Sequence, residues 1–556
     1  MQPYAELAKK DAEETDLGGV TVPARAALRM NIVIGSGPAG IACAYALLEK
    51  GEEVLVIDAG IDLEGPQREL LSRVKGETAT EALVELEAIR RNQKMTGKGL
   101  PDKLVYGSDF PYRGAREHLG FETSGSGLVL SLAVGGLSNV WGSAVLPYLQ
   151  KDISDWPVTA KDLAGHYEKA IKITGLSAKR DDLENLFPLH TATPNDLEPS
   201  SQARHLLKDL EPMRAKLKSE GIYYGSSRLA VGPSLNHDQP CVYCGQCIYG
   251  CPYGCIYNSG DDLKRLLKKS SPGLRYRSNL IVTTIKEKGD TVAVSGFDRE
   301  SKEPVTLEAK RVFLAAGVIP SARIMLKSLE IYNAPVLVKD SQYFLFPMLS
   351  VKGDKKAVAE AKYTLSQIFL EIEDEAISPH MIHLQVYTYN DVITKTLEHK
   401  FRFLPLLRQP IIRHLEHRLL VVQGFLHSRH SGKIRLSLQR DPATLKERFV
   451  AEGVPSPEAK QIVGKVLGKM GKHFAKLGLF SIAPALEFCQ PGRGFHSGGS
   501  FPMSTQPGPL EADIYGRIGG ASRIHLVDAS IFPSIPATTI TLTAMANAHR
   551  IGSANY

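Results

Sequence analysis

The 556-residue chain predicts an α/β fold: a parallel sheet flanked by helices, interrupted by an inserted α+β region that contains an antiparallel sheet. Three observations predict it. A strand, glycine turn, helix and second strand follow one another over Asn31–Gly60. A further short apolar strand ending in glycine, Arg311–Gly317, recurs mid-chain. Between residues 334 and 485 the apolar residues alternate, the period of half-buried antiparallel strands. The length exceeds what one hydrophobic core organises, so two domains are expected.

The opening stretch reads NIVIGSGPAGIACAYALLEKGEEVLVIDAG. Asn31–Ile34 and Val54–Ile57 read as buried parallel strands, and Ile41–Glu49 as the helix between them. Gly35, Gly37 and Gly40 form G-x-G-x-x-G. Gly35 allows the tight turn, Gly37 lets a pyrophosphate approach the backbone, and Gly40 lets helix and strand pack closely. The helix N-terminus offers unpaired N–H groups and a positive dipole end to phosphate. Asp58 lies 18 residues after Gly40, where a carboxylate accepts hydrogen bonds from ribose hydroxyls. The unit is a Rossmann-type dinucleotide site.

Composition excludes several classes. Hydrophobic residues make up 43% and charged residues 23%, ordinary for a soluble globular protein. The net charge of +7, without a basic stripe interleaved with aromatics, argues against nucleic acid. No apolar run approaches the roughly 20 residues that span a bilayer. Residues 1–30 carry acidic residues and no apolar signal-type core, so a cytoplasmic location is expected. Five of the seven cysteines crowd into Cys241–Cys255, which points to metal or cluster chemistry in a reducing compartment.

In order, the chain divides into an extension (1–30), a first dinucleotide-binding segment (31–150), a cap and cysteine segment (151–274), a second dinucleotide-binding segment (275–333), a substrate-binding region (334–485) and a C-terminal return to the cofactor (486–556). Residues 62–95 suit a surface helix pair. Gly125–Tyr148 contains GGLSNVWG, whose small residues and single large ring, Trp141, suit backbone lying against a flat cofactor. Ala160–Thr174 and Asp261–Lys269 read as helices. Ile281–Ile285, Val292–Val294 and Arg311–Gly317 read as strands, and IPSARIML as a helix with Pro320 in its first turn. Met381–Tyr389, Leu419–Leu426 and Lys433–Leu438 are the alternating strands. Residues 397–420 mix Lys400, Arg402, Arg408, Arg413 and Arg418 with apolar side chains, broken by Pro405 and Pro410. The segment suits either peripheral contact with an anionic membrane or a helix pair packed on the domain. The tail carries His496 among glycines, LVDAS around Asp528, Thr539, and a helix over Thr541–Ile551.

Cys241, Cys244, Cys247 and Cys251-Pro252 give C-x2-C-x2-C-x3-C-P, the ligand run of bacterial ferredoxins. One 4Fe-4S or 3Fe-4S cluster is one reading. A structural loop of free thiols, a zinc site and a disulfide are the others.

GSGPAG at Gly35–Gly40 together with GGLSNVWG at Gly135–Gly142 resembles the glucose-methanol-choline (GMC) oxidoreductases, and GCPYGCIYN resembles the iron–sulfur loop of related FAD sugar dehydrogenases. The resemblance implies FAD held by Gly35, Gly37, Gly40, Asp58, Gly135, Gly136, Ser138, Asn139, Trp141, Gly142, Ala316, Gly317 and Asp528. Some relatives attach FAD through a histidine two residues after the serine. Val140 stands there, so non-covalent FAD is implied. His496 matches the family's catalytic histidine. Thr539 occupies the second catalytic position, where relatives carry Asn or His. A threonine donates or accepts a hydrogen bond but is no base near neutral pH. His427 and His430 are further candidates, while His525 and His549 read as structural or surface groups. The implied activity is FAD-dependent dehydrogenation of an alcohol (sugar, polyol or other), with electrons passed through a cluster to a protein or quinone. An oxygen-using oxidase with structural cysteines and a flavin relay without alcohol turnover are the alternatives.

Overall fold

The computed structural model describes residues 30–74, 78–93, 102–233, 240–269 and 273–556. The extension expected over 1–30 lies, but for Met30, outside the described residues.

The dinucleotide half is a five-stranded parallel sheet. Asn31–Ile34 is central, between Val54–Ile57 and Arg311–Leu314, with Leu274–Arg277 and Ile524–Leu526 at the edges. Its inner strands are buried on both faces, which is why they read as unbroken apolar runs rather than alternating ones. The helix after the first strand spans Pro38–Glu49. It begins three residues ahead of the Ile41 start read from the sequence, because a proline lacking an N–H is well placed in a first helical turn. It packs against Thr541–Ser553, so the tail closes the domain that the head opens. The helix pair expected in 62–95 forms as Gly65–Arg73 and Ala79–Asn92 around Leu70, Ala82 and Leu86. Ala160–Thr174 starts on a reciprocal cap, with Asp162 N donating to Thr159 Oγ1 (3.2 Å) and Thr159 N to Asp162 Oδ2 (2.9 Å).

The second half is built on two sheets, one antiparallel throughout and one antiparallel but for a parallel edge strand, Phe121–Ser124. A seven-stranded sheet runs Leu479–Ser481, Tyr343–Ser350, Leu419–Phe425, Ser378–Tyr387, Ile368–Asp374, Ile222–Ser226, with Glu487–Phe488 also paired to Tyr343–Ser350. One face, including Phe344, Phe346, Leu384 and Val422, buries against the helix Pro457–Phe474. Tyr343, Leu345, Gln385, Val421, Gln423 and Phe425 face the other way, as period-two geometry requires. The other array orders Ser497–Gly498, Val336–Asp340, Lys433–Arg440, Glu447–Val454 and Phe121–Ser124. Residues 397–420 are largely a helix pair, Asp391–Lys400 and Arg408–Leu415, that seats Ile393, Leu397 and Ile412 on Leu419. Pro410 fits in the first turn of the second helix, where backbone N–H groups lack intrahelical partners.

Candidate active site

One cavity of about 1070 Å³ runs from the glycine loop, along the tail, to the helix Asp391–Lys400. The loop after the first strand shapes one end. A Cβ on Gly40 would overlap the Gly35 carbonyl oxygen, and one on Gly35 would overlap Ala315 O, so both glycines let backbones touch. Gly37 differs: its backbone is extended (φ −65°, ψ 172°) and a Cβ there would meet nothing within 4 Å. The following helix has no side-chain cap, which leaves its first N–H groups available to an anion. Asp58 lines the cavity with its carboxylate pinned: Oδ2 accepts from Ser36 N (2.8 Å) and Ser36 Oγ, and Oδ1 from Gly60 N (2.9 Å). Burial nevertheless pushes its pKa above the usual carboxylate value. Ser36 Oγ also accepts from Gly135 N (2.9 Å), tying the second glycine loop to the first.

Within that second loop Gly136, Ser138, Trp141 and Gly142 line the cavity. Trp141 Nε1 donates to Tyr257 O (2.9 Å), which fixes the ring. Gly135 and Asn139, expected at the cofactor, are instead framework. Asn139 Nδ2 donates to Val134 O (2.9 Å) and Gly136 O (2.7 Å), and its Oδ1 accepts from Asn258 Nδ2 (2.8 Å). Satisfying the carbonyls of a tight turn consumes that side chain. Ala316 and Gly317 line the cavity. So does Asp528, which accepts from Gly317 N (2.9 Å), Ser321 Oγ (2.6 Å) and Ser530 N (2.9 Å) and so joins helix Val318–Ser328 to the tail.

His496 projects into the same cavity. Its ring stacks on Phe425 at 4.7 Å, and among the described residues its Nδ1 has no hydrogen-bond partner. Burial brings its pKa down to about 3, so the imidazole is neutral and an acceptor at neutral pH. The segment is anchored: Ser341 N donates to His496 O (3.0 Å), and buried Asp340 accepts from Gly492 N (2.9 Å) and Ser497 Oγ (2.8 Å). Phe495, one residue earlier, holds φ at 57°, a costly backbone state for a bulky side chain. Thr539 also lines the cavity, but its Oγ1 accepts from Leu146 N (3.0 Å). Its role is therefore partly structural.

Several cavity groups carry no sequence signature. Tyr387 OH donates to Gln385 Oε1 (3.3 Å), Gln385 Nε2 to His383 Nε2 (3.0 Å), and His383 Nδ1 to Glu371 Oε1 (2.7 Å). This direction is the tautomer that gives each residue of the chain a partner, with Glu371 Oε2 left unpaired among the described residues. Strand alternation marks these residues as sharing a face, but nothing local says that the face borders a site. Lys103 Nζ donates to Trp141 O (3.3 Å), and burial lowers its pKa to about 8.

His427 does not line the cavity. Its ring stacks on His380 at 3.7 Å and its Nε2 meets Asp152 O at 3.0 Å. His430 instead pairs with Glu458 (2.9 Å). His525 stacks on Phe313 and His549 meets His166 (3.0 Å), both structural placements.

The expectation of a metal site at Cys241, Cys244, Cys247 and Cys251 is not met. Among the described residues no three or more His, Cys, Asp or Glu side chains form a metal-ligating group. Three of the sulfurs accept from backbone amides, Tyr243 N to Cys241 Sγ (3.4 Å), Thr364 N to Cys247 Sγ (3.4 Å) and Cys255 N to Cys251 Sγ (3.2 Å), and the Cys251 and Cys255 thiols hydrogen-bond to one another. Cys247 and Cys255 are buried with Leu146, Leu229 and Phe369, as small apolar side chains are.

Residues 487–548 match the family model described as GMC oxidoreductase, and residues 33–65 match that of an NAD(P)-binding Rossmann-like domain. No curated protein sequence matches the chain. Among solved structures, pyridoxine 4-oxidase from Mesorbium loti superimposes with a TM-score of 0.59 at 13% identity, covering 94% of this chain and 98% of its own. A formate oxidase gives 0.59 at 13%, covering 94% and 97%. A formate oxidase of Aspergillus oryzae RIB40 gives 0.58 at 12%, with the same coverage. At such identity these likenesses establish the fold. The GMC oxidoreductase match over 487–548, the Rossmann-like match over 33–65 and the shared fold together support an FAD-dependent oxidoreductase of GMC type.

Proposed function

We propose that the protein oxidises an alcohol carbon, with His496 taking the hydroxyl proton. The observation that carries this reading is the neutral imidazole of His496 lining the same cavity as the glycine loop. FAD, when bound there, supplies the two-electron acceptor for the substrate hydride. The helix N-terminus after Gly37 would hold its pyrophosphate and Asp58 its ribose, with Gly136–Gly142 and Ala316–Gly317 beside the ring system. The open space at Gly37 fits that occupant. Val140 lines the cavity without a group able to bond the cofactor covalently. With His496 Nδ1 buried away from the cavity space, Nε2 would be the ring nitrogen that takes the proton. Phe425, stacked on the ring, holds its plane.

The sequence argument for one-electron relay rests on the cysteine run. Because no three or more potential ligands gather there among the described residues, no step is routed through a cluster. Transfer of the two electrons to dioxygen, giving a carbonyl product and hydrogen peroxide, is the favoured outcome. It agrees with the names pyridoxine 4-oxidase and formate oxidase borne by the structural neighbours. Anaerobic mixing of the FAD-loaded protein with a panel of alcohols tests the reading. Bleaching of the flavin band, then recovery in air with stoichiometric peroxide, is expected. A flavin that no alcohol reduces would overturn it, and iron and acid-labile sulfide at cluster stoichiometry would restore the relay.

A further inference from the structure

The cavity continues well past His496. Along the cavity-facing side of the seven-stranded sheet, Phe425 pairs with Tyr343, Gln423 with Leu345, Val421 with Pro347, and Leu419 with Leu349. The first three pairs line the cavity, and so does Leu419. Phe425 stacks on His496, while Leu419 packs under the helix Asp391–Lys400. Six residues of strand at roughly 3.3 Å each separate these ends, a distance of about 20 Å. Polar side chains on this wall are few, Gln385, Gln423, Tyr387 and Glu487, which pairs with Leu345, and two of these already bond within the Glu371–His383 chain. A sugar or polyol would lose water from more hydroxyls than these few groups can bond again, which costs more than contact returns. An alkyl chain loses nothing there.

The far end reaches the protein surface beside an apolar tip. Ile393, Leu397, His399 and Lys400 line the cavity. The turn that follows exposes Phe403 (70%), Leu406 (91%) and Leu407 (59%). Residues 397–418 carry five Lys or Arg against two Glu, and Lys400, Arg402 and Arg413 are exposed. Large apolar side chains ringed by cations are suited to the headgroup boundary of an anionic bilayer. Among the described residues no helix is long and apolar enough to cross one.

We propose that the substrate is a long-chain apolar alcohol, drawn from an anionic lipid surface on which the 401–407 turn rests. This rests on the alcohol-oxidation reading above. The hydroxyl reaches His496 while the chain lies along Val421 and Leu419 toward the turn.

The test uses the full-length, FAD-loaded protein. Anaerobic flavin reduction is measured with primary alcohols from butanol to dodecanol, and with glucose and sorbitol. Half-saturation should tighten about threefold to fourfold per methylene, the fold-change for burying one CH₂. Binding of unreactive alkanoic acids, followed by calorimetry, should show the same trend. Co-sedimentation should occur with vesicles containing phosphatidylserine and fall at least tenfold with pure phosphatidylcholine. The triple variant Phe403→Ser, Leu406→Ser, Leu407→Ser should lose vesicle binding yet keep its turnover of detergent-dispersed decanol. Glucose or sorbitol matching decanol, or the absence of chain-length dependence, would overturn the substrate class. Equal binding to both vesicle types, or to neither, would overturn the lipid surface. Failure of every alcohol would instead bring down the oxidation reading itself.

Discussion

Gly37 and Gly40 sit three residues apart in one motif, and the structure assigns them opposite vulnerabilities. In Gly40→Ala the new methyl would overlap Gly35 O and stand 3.3 Å from Ala315 Cβ. Both neighbours belong to the packed junction of the central strands, so neither side can yield cheaply. Overpacking of this kind costs about 1–3 kcal/mol or more. In Gly37→Ala the methyl meets nothing within 4 Å, and the backbone already holds an angle that alanine accepts (φ −65°). The apoprotein should therefore keep its stability or gain about 0.4–1 kcal/mol, because alanine lowers the entropy of the unfolded chain. That methyl would, however, point into the space assigned to pyrophosphate, and FAD affinity should fall at least tenfold, about 1.4 kcal/mol. Urea unfolding of the apoproteins, alongside flavin-fluorescence titration, separates the two effects. Gly40→Ala should lower the midpoint, while Gly37→Ala should leave it in place and weaken FAD alone. If Gly37→Ala destabilised the apoprotein as much as Gly40→Ala, the assignment of one glycine to packing and the other to cofactor would be refuted.

His496→Asn should retain FAD and slow flavin reduction by about 10²–10⁴-fold, the usual contribution of a positioned base, as read by stopped flow. Because burial lowers the pKa of His496 to about 3, the ring stays neutral as pH falls through 6.5, and kcat/KM should show no acid limb from this group above about pH 5. Thr539→Val removes the acceptor for Leu146 N; it should cost about 1–3 kcal/mol of stability while changing the reduction rate far less than His496→Asn does. Asp340 has its pKa raised to about 7 by burial, above its unfolded value. The folded state thus binds more protons, so this group's contribution to stability falls as pH rises from about 4 to 7. Asp340→Asn should flatten that part of the stability profile in chemical denaturation.

The sequence by itself determined the parallel sheet and its cofactor end, because the signals there are local. The glycine spacing, the apolar strand before it and the helix after it lie within one βαβ unit, and each element's geometry follows from neighbours in the chain. The match of His496 to a family position came with them. Whether a side chain faces cofactor or framework depended on contacts far along the chain. Asn139 is committed to Asn258, and Thr539 to Leu146. The cysteine run shows the same limit. Its spacing permits a cluster, but a sulfur's direction is set by whichever amide and apolar wall the fold presents, here Thr364 and Phe369 for Cys247. The Glu371–His383–Gln385–Tyr387 chain and the apolar channel toward Leu419 were equally out of reach. Alternation along a strand gives two faces, and only the packing of helix Pro457–Phe474 against one of them left the other to line the cavity.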